Sequence, residues 1–256
     1  MQTLTINISG SKALFEIETQ GRVEQYKIAI TDGFNINNLN THIAELEQDY
    51  ALDSYGLGIA VPGLVQAQQL VSCQSLQGLK GLSADDLFTK AKQVIIANDS
   101  DAGLQALMDT KQDCELLVMC DMGIGMSIAV NGIPFTGASG MAGELGHCRM
   151  MTESGEFSLE QLASGAAIKR RNWTRNEDIA RAGSYIGQSL AWVVNLFNPS
   201  HIYLAGSLMD NPHYYQACVA AIKEMALPIP MAKVKVNRVD DRETMVCRGL
   251  KVMLNK

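Results

Sequence analysis

The chain has 256 residues, 47% of them hydrophobic, which is enough for one large domain or two modest ones with a real core. Its 21 Lys and Arg against 27 Asp and Glu leave a formal net charge of -6. That balance argues against a nucleic-acid surface, which needs clustered cations to replace counterions, and makes a small molecule the better default ligand.

No segment reaches the ~18 uninterrupted apolar residues of a membrane span, and the opening MQTLTINISGSK lacks the basic and apolar regions of a secretory leader. A cytoplasmic protein without a membrane partner is expected. The cysteines are Cys73, Cys114, Cys120, Cys148, Cys218 and Cys247, with no C-x-x-C pair among them. Neither a zinc knot nor a redox motif is spelled out, and reduced thiols are the plain reading.

TLTINISGSKALFEIETQGRVEQYKIAI alternates apolar and polar residues and breaks at Gly10 and near Gln20-Gly21, which predicts a meander of three antiparallel strands. A helix follows, with Leu39, Ile43, Leu46 and Tyr50 at helical spacing behind an Asn-rich start suited to capping. YGLGIAVPGLV is an apolar strand ended by Pro62-Gly63, and QVIIAND is another that runs into the helical SDAGLQALMD. ELLVMCDMGIGMSIAVNGIPF then reads as strand, glycine turn at 123–125, strand and Asn131-Gly132 hairpin. This second meander echoes the first, so we expect two related α/β lobes, 1–111 and 112–256. NEDIARAGSYIGQSLAWVVNLFNPS is a long helix with Ile179, Gly183, Ile186, Leu190, Val193, Val194 and Phe197 on one face. HIYLAGSLMD is a buried strand, and ETMVCRGLKVMLNK a closing helix that can pack back on the N-terminal lobe. The basic run KRRNWTR reads as a solvated helix face, and the 13 Met as core filler and loop contacts.

Three glycine-containing turns follow strands: ISGSK, MGIGM and LAGSL. Each alone reads as a hairpin in need of positive φ, but three of them in two echoing lobes can present backbone amides to phosphate oxygens. Asn98-Asp99 stands where a strand ends and a helix begins, either as a ligand contact or with Asp99 simply capping the helix from Ser100. Glu144 and His147 lie three apart among small residues, as a pair that grips hydroxyls or as a surface turn. Glu160 is a further candidate or an ordinary first-turn carboxylate.

The ordered set INISGSK, GIAVPGLV, IIANDSDAG, MGIGMSIAVNG, GELGH, SLEQLASG and IYLAGS resembles the ROK family of bacterial sugar kinases and sugar-responsive repressors. The resemblance implies the two-lobed actin-like (ribonuclease H-like) α/β sugar-kinase fold, with ATP and sugar in a cleft. It implies Asp99 as general base, Asn98, Glu144, His147 and Glu160 as sugar-positioning residues, and Gly63 in the pocket wall. Asn7, Gly10, Ser11, Lys12, Gly123, Gly125 and Gly206 would lie on the nucleotide side, with Mg2+ carried by ATP, and a homodimer is the implied assembly.

The chain departs from the family pattern at several points. Asn7 replaces the acidic residue of the first phosphate motif, and Asp121 and Met122 replace Gly and Thr in the second. The Cys-rich zinc insert is missing, with Ser158 where its last Cys would stand, so no structural zinc is expected. The first strand starts too early for a helix-turn-helix domain, which makes direct DNA binding unexpected. An ATP-dependent kinase of hexoses or N-acetylated hexosamines is the leading expectation, and a sugar-binding sensor with weak or no catalysis is the alternative.

Overall fold

A computed structural model describes residues 2–73 and 75–256. The chain divides into two compact units: Met1–Leu107 with Gly137–Met141 and Glu243–Lys256, and Met108–Thr136 with Ala142–Arg242. Each is α/β.

The first unit opens with the expected meander, β1 (Thr3–Ile8), β2 (Lys12–Thr19) and β3 (Arg22–Ala29). Gln20 and Gly21 turn between the last two with φ of 52° and 75°, the left-handed pair that matches strand twist. Helix α1 (Ile36–Asp49) is capped by Asn35, whose side chain accepts from the N–H groups of Asn37 and Asn38 while Asn38 answers to Asn35. It buries Leu39, Ile43 and Leu46, whereas Tyr50 lies just beyond its end as the C-cap. Next come β4 (Gly56–Val61), the hairpin β5 (Leu64–Gln66) and β6 (Gln69–Ser72), β7 (Gln93–Asn98) and α2 (Asp99–Leu107). The sheet order is β3-β2-β1-β4-β7, antiparallel through β1 and parallel beyond it.

The second unit repeats that plan. Strands β8 (Cys114–Cys120), β9 (Ile124–Val130) and β10 (Ile133–Pro134) form its meander. The hairpin β11 (Arg149–Thr152) and β12 (Gly155–Ser158), short helices α3 (Leu159–Ala163) and α4 (Gly165–Arg170), and long helix α5 (Asn176–Phe197) follow. The chain continues through β13 (His201–Ala205), α6 (Pro212–Met225), α7 (Pro228–Met231), β14 (Lys235–Arg238) and α8 (Arg242–Leu254). The second sheet runs β10-β9-β8-β13-β14, again antiparallel and then parallel. The echo between the two meanders therefore extends to whole sheets.

Helix α5 buries Ile186, Leu190 and Val194 against the sheet, and Gly183 and Gly187 against α6. A Cβ on Gly183 would stand 2.1 Å from Tyr214 O and one on Gly187 2.2 Å from Cys218 O, so the two backbones meet through these glycines. Phe197 departs from the expected face. It is exposed because the chain leaves the helix at Asn198, whose φ is 46°. All six cysteines are free, and burial pushes the Cys120 and Cys247 thiols up to about 12. Among the described residues no helix is long and apolar enough to cross a membrane.

Alternation sends Leu4, Ile6 and Ile8 of β1 toward α1 and Thr3 and Thr5 to the opposite face, where α8 packs. Gly58 of β4 lies under Leu250, and a Cβ on Gly249 would stand 1.6 Å from Ala102 O of α2, so α8 sits directly on backbone. Lys251 fixes it there: its Nζ lies 2.8 Å from Glu16 Oε1 and 2.6 Å from Glu18 Oε2. Glu16 is buried, so the pair is costly to break. Desolvation pulls the Lys251 pKa down, but the hydrogen bonds and charges of Glu16 and Glu18 outweigh it, and the net direction is up. With the folded pKa above the unfolded one, this stabilisation is whole at neutral pH and is lost as pH climbs through the lysine range, about 10.4 and upward. Lys251→Met is expected to cost about 3 kcal/mol in urea unfolding at pH 7. The variant should also lack the part of the parent's alkaline destabilisation that Lys251 causes.

Candidate functional site

The strongest local construction in the first unit is the end of β7. Asn98 Oδ1 accepts from Ser100 N at 2.8 Å, Ser100 Oγ at 2.6 Å and Asp101 N at 3.3 Å, while Nδ2 donates to Gly63 O at 2.8 Å. One amide thus caps α2 and holds the turn that follows β4. Of the two roles the sequence left open for Asp99, ligand contact or helix cap, the cap is taken by the Asn98 side chain, and Asp99 is the first helical residue. Half-buried Asp99 also accepts from Ser100 N, through Oδ1 at 2.8 Å, in the first turn of α2. Gly63 has φ 111°, and a Cβ there would stand 2.3 Å from Ser72 O, so no other residue fits the turn.

At the first hairpin, Ser9 N and Ser9 Oγ both donate to Lys12 O at 2.8 Å, and Lys12 N donates back to Ser9 Oγ at 3.3 Å. Gly10, Ser11 and Lys12 are exposed around this closed turn, and Asn7 is half-buried in β1 opposite Leu14 and Ala60. Gly10 is not among the glycines with positive φ.

In the second unit Glu144 and His147 do meet, with Oε2 and Nδ1 3.3 Å apart. The side chains are 41% and 64% exposed, so the contact is worth little in energy and can be exchanged for a ligand's hydroxyls. Glu160, in the first turn of α3, comes close to Gly123 and to Gly146, the residue before His147. An ideal Cβ on Gly123 would stand 3.4 Å from its Oε1, and one on Gly146 3.2 Å from its Oε2. Ser158 caps α3 by accepting from Gln161 N at 3.2 Å, and Gln161 Oε1 accepts from Ser158 N at 2.9 Å. The S-L-E-Q spacing of a capping box carried that information unread.

The glycine turn lies two residues earlier than expected and occupies Asp121–Gly123, closed by Asp121 N donating to Gly123 O at 3.0 Å; Gly125 lies inside β9 opposite Met119. Gly165 N donates to Asp121 O at 2.8 Å and Ala166 N to Met122 O at 3.1 Å, which fastens α4 to the turn. The Asp121 side chain accepts from Ser207 N at 2.6 Å and from Ser207 Oγ. Gly206, with φ 100°, permits this approach, since a Cβ there would stand 2.3 Å from Cys120 O. Sequence reasoning missed Ser207 as a partner, although a Gly-Ser step after a strand places an amide and a hydroxyl together. Among the described residues no three His, Cys, Asp or Glu side chains gather as a metal site.

The model of the ROK family matches residues 12–249. The chain belongs to the ROK family. The N-acetylglucosamine repressor of Shigella flexneri is 29% identical over 137 residues, which cover 39% of this chain and 34% of the repressor. The chain thus matches about a third of the length of the first curated relatives. A ROK family protein from Streptococcus pneumoniae, solved with sucrose, superposes with a TM-score of 0.79 at 21% identity, over 99% of this chain and 98% of that one. A ROK family glucokinase from Streptomyces griseus, solved with glucose and AMPPNP, superposes at 0.76 and 17% identity over 98% of each chain. The fold is the actin-like, two-lobed α/β fold of ROK sugar kinases.

In this ROK chain the basic run is divided: Lys169 and Arg170 end α4 exposed, Arg171 stacks on Trp173 with its guanidinium carbon 4.7 Å from the ring centre, and Arg175 pairs with Asp178 at 2.9 Å. The Asn98 clasp is the element whose loss is simplest to measure. Asn98→Ala removes a helix cap and leaves Gly63 O without this donor, for an expected loss of about 2 kcal/mol in urea unfolding. Asn98→Asp keeps the cap oxygen and should lose about half as much.

Proposed function

We propose that this ROK protein transfers the γ-phosphoryl group of ATP to a hydroxyl of a hexose or N-acetylated hexosamine, acting in the cytoplasm as a homodimer. The observation that carries the reading is the position of Asp99, first in α2 and immediately behind an amide with its own four hydrogen bonds. A carboxylate at this place has the chemistry to accept a proton from a bound hydroxyl. Asp99 takes the proton of the attacking hydroxyl as the new P–O bond forms and the bond to ADP breaks. Asn98, Gly63, Glu144, His147 and Glu160 orient the sugar, and positioning is most of what phosphoryl transfer asks of a protein.

The exposed Gly10–Lys12 turn offers amides and an ammonium suited to phosphate oxygens, and Asn7 can hydrogen-bond a metal-bound water. Mg2+ arriving with ATP supplies charge neutralisation at the phosphates. The glucokinase with glucose and AMPPNP, matched over 98% of each chain, supports a kinase reading of the fold.

A second reading is favoured by one observation. The Asp121 carboxylate already occupies the Ser207 amide and hydroxyl and sets a negative charge beside the glycine turn, where phosphate would be repelled. A chain that keeps its sugar residues while blocking its phosphate donors would act as a sugar-responsive regulator, as the repressor relatives are named.

A coupled ADP-release assay across hexoses and N-acetylated hexosamines separates the two. Sugar-dependent release is expected, falling about 100-fold or more in Asp99→Asn while sugar binding by thermal shift persists. Sugar binding without release would transfer the reading to the regulator. Asn7→Asp should raise turnover at limiting Mg2+ if the missing carboxylate is what holds ATP use down, and unchanged turnover would discard that account.

A further inference from the structure

The segment before Glu144, Thr136 to Gly143, is rich in small residues, and its tip has a contact that the sugar motif does not explain. Gly137–Met141 pack with the first unit, although Thr136 and Ala142 on either side belong to the second. Ala142 N donates to Thr136 O at 2.9 Å, so the five residues form a loop with a closed neck. Gly137, Gly140 and Gly143 have φ of 70°, 78° and 101°. A Cβ on Gly143 would stand 2.1 Å from Met126 O, which pins the exit of the loop to β9. The entry and exit are therefore fixed, while the exposed tip needs a tether of its own.

Gln66 supplies it: Nε2 donates to Ser139 O at 3.1 Å. Gln66 ends β5, at the tip of a hairpin whose turn is Ala67 and Gln68, with φ of 47° and 60°. The same hairpin starts from Gly63, whose carbonyl accepts from Asn98. A continuous series of short links thus runs from the strand end that presents Asp99, through the β5–β6 hairpin and one side chain, to the loop that leads into Glu144 and His147.

Resting on the sugar-binding reading above, we infer that Gln66 is a positioning residue of the sugar site, holding loop 137–141 in the form that sets Glu144 and His147. It acts through the Ser139 carbonyl, so the property that matters is a donor of the right reach. Gln66→Glu keeps the size and removes the donor, whereas Gln66→Lys keeps a donor.

The test uses proteinase K nicking within 137–141 and calorimetric binding of glucose and N-acetylglucosamine, with melting temperature as a control. Gln66→Glu is expected to be nicked about tenfold faster at an unchanged melting temperature and to bind sugar about tenfold more weakly, with Gln66→Lys close to the parent in both. Parental nicking in Gln66→Glu would overturn the tether. Faster nicking with undiminished sugar affinity would overturn its role at the site. If the parent binds neither sugar, the functional reading and the positioning role fail together, while the nicking comparison still decides whether the tether exists.

Discussion

The candidate site depends on one carboxamide. Asn98 is the right residue for its place because only a side chain with both an acceptor and a donor can cap α2 and hold the Gly63 carbonyl at once. A Ser or Asp would cap as well but could not reach across to the turn as an amide donor. The consequence is that strand β7, helix α2 and the start of the β5–β6 hairpin share one origin. Asp99 follows directly from that origin as the first residue of α2 and adds its own hydrogen bond from Ser100 N.

Legibility followed the physical signals. The meanders were readable because short runs of strand-forming residues are punctuated by turn residues at Gly10, Gln20-Gly21 and Asn131-Gly132, and α5 because its apolar spacing runs for six turns. The β5–β6 hairpin was not, since its turn is made by Ala67 and Gln68 in left-handed conformations that favour Gly or Asn. Nor was the work of Gly183 and Gly187 visible, because a glycine on a helix face records only that a side chain is missing and not that another helix fills the space. The Glu144–His147 pair was legible from spacing, while the contact of Glu160 with Gly123 and Gly146 depends on the path of β9 and α3 and has no local signature.

The two units use the same sheet order with different electrostatics at the strand ends. In the first, the carboxylate of Asp99 stands at a helix start and an amide holds the frame. In the second, the carboxylate itself holds the frame, since Asp121 accepts from the Ser207 amide across the turn. A neutral linker at that position would leave the surroundings receptive to an anion, and a charged one does not. The second unit has gained local rigidity through a group that raises the cost of bringing phosphate near.

This difference alters how the surviving glycines should be weighed. Gly123 has an ordinary φ, so the turn does not demand a glycine on conformational grounds. What a larger residue would disturb is the Glu160 carboxylate, whose Oε1 lies 3.4 Å from where a Cβ would stand. The same carboxylate has Gly146 on its other oxygen, and there Ile124 O, 2.5 Å from the ideal Cβ, excludes any side chain outright. Both glycines are therefore explained by the space that the Glu160 carboxylate and the neighbouring strand occupy. The presence of Gly123 in a motif otherwise associated with phosphate is not independent support for nucleotide binding. Departures such as Asp121 and Met122 consequently weigh more on the nucleotide question than the retained glycines do, and ATP affinity is the property on which the two functional readings divide.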